Sequence, residues 1–194
     1  MAGAPIVVGL TAQSLVVRLE NECLRVNAPN MEFLTDKPLE RLKDGHTVGY
    51  SGQLTVSTGD ERVIQGRSVA HFAFSYDIWK ERFKVTLVTP QLNKNEPSAP
   101  ISAKNLTRAA AQAWCLEQLK IDLAGLAHVP PDRPVWVRLE IRSEDPKETA
   151  GIVGESGISL NGLIELFSHP PRNQQVHKVE EISLKLSDLR KPRI

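Results

Sequence analysis

An α+β domain is predicted for this chain of 194 residues: a mainly antiparallel sheet of about six strands, one long helix over about 102–127 packed on a face, and two short helices. Three observations predict it. Residues 46–57, 67–76 and 83–87 each alternate apolar with polar side chains and follow one another through short connectors, the pattern of an antiparallel meander. Residues 102–127 carry Ala and Leu at helical spacing. No fixed-period repeat or linker divides the chain, so residues 1–194 are expected to form one domain.

Residues 15–26 open the series. Leu15, Val17 and Leu19 share one parity and Leu24 and Val26 the other, so a bulge or turn near Asn21 is needed to keep all five on one face. A short helix is expected over 37–44, with Thr35 or Asp36 as N-cap, Pro38 in the first turn, Leu39 and Leu42 inward and Gly45 as the stop. Val48, Tyr50, Leu54 and Val56 then alternate with Thr47, Ser51, Gln53, Thr55 and Ser57. After the turn at Thr58-Gly59-Asp60, Phe72, Phe74 and Tyr76 alternate with His71, Ala73 and Ser75. Residues 77–81 connect this strand to Phe83, Val85 and Leu87.

Residues 89–100 contain three prolines and read as an exposed connector. The long helix follows, starting at Ser102 or Asn105, and Pro130, Pro131 and Pro134 prevent its continuation. Val135, Val137, Leu139 and Ile141 define another strand, and Ile182, Leu184 and Leu186 the last, near 179–186. Between them Gly151, Gly154 and Gly157 mark a mobile acidic loop, and Leu160, Leu163, Ile164 and Phe167 a second short helix beginning at Ser159.

The 24 Lys+Arg and 23 Asp+Glu leave a formal charge of +1, so no long-range field gathers nucleic acid or anionic lipid. Aromatics at 5% fall short of a base-stacking groove, and nucleic acid is not an expected partner. The apolar stretch 2–10 has no preceding Lys or Arg and is too short for a signal peptide or a membrane span. Location therefore stays open. Cys23 and Cys115 form no metal-binding spacing, and two free thiols are favoured over one long-loop disulfide.

The block from Leu39 to Val88, through Leu42, Gly45, the Phe74-Ser75-Tyr76 centre and the returning Arg82, Phe83 and Val85, resembles a bacterial domain-of-unknown-function family. The resemblance implies envelope association and supplies no catalytic residue or cofactor.

No motif specifies a reaction. Gly151, Gly154 and Gly157 match neither phosphate-loop spacing, and Glu155 would repel a phosphate. Gly49-Tyr50-Ser51-Gly52 and Gly154-Glu155-Ser156-Gly157 are each one residue short of a nucleophile elbow. His46, His71, His128, His169 and His177 include no helical i,i+4 pair, so no local metal site is expected. The densest mixture of aromatic and charged side chains is 76–82, where Trp79 and Arg82 belong to the types that dominate interface hot spots. Trp136 is a further candidate contact, pointing opposite to Val135 and Val137. The expectation is a non-enzymatic protein-binding or accessory module without cofactor. The alternative is a small-molecule site or enzyme with a pocket between the long helix and the sheet, using Tyr50, His71 and Ser75.

Overall fold

The computed structural model describes residues 15–59, 62–88, 101–144, 153–154, 157–158 and 176–189. In chain order its elements begin β1 (Val16–Glu20), β2 (Cys23–Asn27), α1 (Asp36–Lys43), β3 (Val48–Thr58), β4 (Val63–Asp77) and β5 (Arg82–Val88). They continue with β6 (Ser102–Leu106), α2 (Arg108–Gln118), β7 (Lys120–Asp122), a 3-10 turn (Leu123–Leu126) and β8 (Pro134–Ser143). The series ends with β9 (Val153–Gly154), β10 (Gly157–Ile158), β11 (His177–Lys185) and α3 (Leu186–Leu189).

Six strands form one antiparallel sheet in the order β11-β8-β3-β4-β5-β6, three form a second in the order β1-β2-β7, and β9 pairs with β10. The meander β3-β4-β5 is the one expected from alternation, and β8 and β11 extend it beyond β3. In the β1–β2 hairpin, Asn21 and Glu22 both adopt positive φ, 50° and 59°. That is the signature of a type I′ turn, whose twist suits a two-residue hairpin. It restores the register, placing Leu24 opposite Leu19 and Val26 opposite Val17 on a common face.

The buried apolar side chains form one cluster to which both sheets, α1 and α2 contribute. At Gly52 a Cβ would approach Leu119 Cδ1 to 3.0 Å and Ile141 Cδ1 to 3.1 Å. At Gly66 it would meet Ile121 and Leu126, each at 3.0 Å. The absence of side chains at these positions lets residues 119–126 lie close on the backbone of the large sheet. Gln112 is the polar fastener of the interior: its Oε1 accepts from Phe33 N at 2.8 Å and Leu34 N at 2.9 Å. The segment before α1 is thereby tied to α2.

The long helix over 102–127 does not exist, which overturns the predicted architecture. Residues 102–106 are instead an edge strand on β5, and Asn105 lies in the left-handed region at φ 58°, where a helix cannot continue. Thr107 then caps α2, its side chain accepting from Ala110 N at 3.2 Å. The helix stops after Gln118 because Leu119 is extended, with φ −85° and ψ 112°. Ile121 pairs with Leu24 and is buried, while Lys120 and Asp122 point outward. Leu116, Leu119 and Leu123 fit a helical face, but Leu119, Ile121 and Leu123 fit a strand equally, and pairing with β2 selects the strand. The two longer helices therefore run only eight and eleven residues. The connector at 89–100, the helix expected at 159–167 and His169 lie outside the described residues.

Candidate functional site

The tip of the β4–β5 hairpin is built by its own backbone. Asp77 and Arg82 form the last cross-strand pair. Beyond it Asp77 Oδ1 accepts from both Trp79 N and Lys80 N at 3.1 Å, an Asx turn that closes the loop without help from elsewhere. Lys80 Nζ lies 3.7 Å from Asp77 Oδ2, and Glu81, at φ 53°, returns the chain to β5. Tyr76 and Phe83 pack beneath the turn in a tilted pair with ring centroids 4.8 Å apart, and Phe83 is part of the core. On this base Ile78 is 56% exposed and Trp79 93% exposed. Arg82 stands next to them, its Nη1 donating to Glu81 O at 3.0 Å.

The outward face of the six-stranded sheet has a different chemistry. Register places His71, Ser51, Arg142 and His177 in one transverse row across β4, β3, β8 and β11. His71 Nδ1 lies 2.8 Å from Glu144 Oε1, and both side chains are buried. Glu144 is held in place by its own N–H, which donates to Gly49 O at 2.8 Å. In the neighbouring row Glu140 is a hub: it accepts from the Arg142 guanidinium, from His177 Nε2 at 2.9 Å and from Arg138 Nη2 at 3.3 Å. Burial by itself would raise the Glu140 pKa. The hydrogen bond and charge of Arg142, followed by those of His177, outweigh that burial and hold the carboxyl below its ordinary range.

The candidates named from the sequence are thus divided. Trp79 and Arg82 sit together at the tip. Trp136 lies toward the opposite end of the sheet, opposite Ser57 of β3, with the Arg62 guanidinium stacked 3.8 Å from its ring centroid. Arg62 in turn pairs with Glu181 at 2.7 Å. Tyr50 faces the core, packed between Phe33 and Phe74, and its hydroxyl donates to Phe33 O at 3.0 Å. Burial, with smaller contributions from Cys115 and Asp36, pushes its pKa well above the usual phenol value. His71 and Ser75 belong to the other face of the sheet, so the three do not meet, and the long helix expected to roof their pocket is absent.

Cys23 and Cys115 are free thiols, the first half-buried and the second buried, and burial raises the Cys115 pKa. Among the described residues no group of three or more His, Cys, Asp or Glu could hold a metal ion. Among them, too, no helix is long and apolar enough to cross a membrane.

Sequence inspection did not find a cleft of about 360 Å³ between the β1–β2 hairpin and α2, whose walls include Arg18, Arg25, Asn27 and Glu117. Its one sequence signal is the pair of arginines at positions equidistant from the turn, which become neighbours only once the hairpin register is known. No family model matches the chain, nor does any curated protein or solved structure. The resemblance over residues 39–88 accordingly assigns no residue a role.

Proposed function

We propose that the chain is a non-enzymatic binding module whose contact surface for a protein partner is the β4–β5 tip, with Trp79 as anchor and Arg82 beside it. The observation that carries this is the 93% exposure of Trp79 on a turn already closed by Asp77. A side chain of this size removes ~150–250 Å² from water when buried, a gross gain of about 4–6 kcal/mol before association costs. The preformed turn reduces those costs, since little backbone ordering is left for the bound state. The polar sheet face supports the same reading, because its acids and bases engage one another.

The test compares proteins retained from a native extract by the wild type, by Trp79→Ala/Arg82→Ala, and by Ile101→Ala as a control at another exposed apolar residue. The expected outcome is a retained protein that the double variant loses and the control keeps. If the double variant retains every protein that the wild type does, the tip is not the contact surface.

A further inference from the structure

We infer that the cleft between the β1–β2 hairpin and α2 binds a small zwitterion bearing a carboxylate and an ammonium group, of which a free α-amino acid is the simplest. The site is separate from the hairpin tip, and the inference does not depend on the function proposed for that tip.

The argument starts from register. Arg18 of β1, Arg25 of β2 and Lys120 of β7 are successive cross-strand partners, so three cations stand in one row on the sheet face turned away from Val17, Leu24 and Val26. Like charges directly opposite one another destabilise a strand pair. Among the described residues Arg25 Nε pairs with Glu20 at 3.8 Å, and the Glu20 side chain is itself 53% exposed. An anion placed between the guanidinium groups would relieve the row.

The Arg25 side chain is already positioned for that anion. Its Nη1 donates to Glu117 O in the last turn of α2 at 2.9 Å, which fixes the plane of the guanidinium. Its Nε is buried, with Glu20 Oε2 3.8 Å away, while the side chain as a whole stays 31% exposed and lines the cleft. Planar guanidinium donors match a carboxylate, which takes two parallel N–H bonds.

The rest of the cleft selects the charge of the ligand. Glu20 and Glu117 line it together with Arg18 and Arg25, so two cations face two carboxylates. A phosphate would meet repulsion from both acids, whereas a zwitterion places each charge against its opposite. Glu117 also lies at the C-terminal end of α2, where the helix carbonyls favour a cation. The Asn27 amide can hydrogen-bond a neutral polar group, and Ala113 leaves room on the helix side for a side chain. At about 360 Å³ the space is near the lower end of small-molecule pockets, roughly 300–1,000 Å³.

The experiment titrates the intact chain with the standard free amino acids at millimolar concentration, and separately with acetate, methylammonium and inorganic phosphate. The readouts are titration calorimetry and the backbone amide resonances of Arg25, Asn27 and Ala113. At least one amino acid is expected to shift those resonances and to bind more tightly than any single-charge probe. Losing one charge-assisted contact in Arg18→Gln or Glu117→Gln should weaken it about tenfold. Both positions are exposed, so thermal melts of the two variants should match wild type. Trp79→Ala should bind the same amino acid unchanged. The inference is overturned if no amino acid shifts these resonances, if phosphate binds as tightly as the best amino acid, or if Arg18→Gln binds like wild type.

Discussion

Trp136 and Trp79 are both carried by the six-stranded sheet, yet the molecule treats them in opposite ways. Trp136 is on an inner strand, with β3 on one side and β11 on the other, and Arg62, tied to Glu181, covers its ring. Trp79 is in a turn, beyond the last cross-strand pair, and remains 93% exposed. What the fold brings over an outward aromatic therefore decides whether it is available. A residue flanked by two strands acquires partners from the fold, and one at a hairpin tip must acquire them from another molecule.

That contrast is open to attack at several strengths. The largest expected effect is at the hub of the covered face. Removing the carboxylate in Glu140→Ala strands Arg142 and His177 and should cost about 1–3 kcal/mol in a denaturant titration. The same carboxylate sets a pH signature. Because its folded pKa is depressed, Glu140 contributes stability that is present above the unfolded value and lost as pH falls through the lower folded value. Stability of the wild type should thus decline more steeply below about pH 4 than that of Glu140→Gln. Parallel acid profiles for the two proteins would show that the hub is not a net stabilising pair.

A smaller loss is expected from Trp136→Ala, about 1–2 kcal/mol from the guanidinium stack and its packing. Smallest of all is Trp79→Ala, which should move stability by less than about 0.5 kcal/mol. Equal destabilisation by the two alanine variants would erase the distinction between them. A neutral Trp79→Ala that loses partner binding would sharpen it into a division between folding and function.

Much of this organisation is legible in the primary structure. Alternation at Val48, Tyr50, Leu54 and Val56, and again at Phe72 and Phe74, marks residues that do become core, since burying one face of a strand demands that period. The parity break at Asn21 calls for a turn, and a two-residue turn is there. The stretch 102–127 was not legible in the same way. Its Ala-rich centre does form α2, but its flanks are strands, one paired with the preceding strand β5 and the other with β2, which lies far away in sequence. The hairpin tip could be found from Trp79 and Arg82 as residue types, whereas the cleft could not, because Arg18 and Arg25 look like two unrelated surface charges until they are paired.

The amino-acid sequence by itself determined the local events: which faces of β3, β4 and β8 are apolar, where α1 begins and ends, and that Trp79 falls in a short connector. These follow from periodicity, capping and chain stiffness, which act within a few residues. Only the tertiary structure decided that 119–122 is strand rather than helix, that His71 meets Glu144, and that Glu140 meets His177. Each of those outcomes depends on register between distant segments. A one-residue change in register moves every side chain of a strand to the other face, so no local pattern contains it.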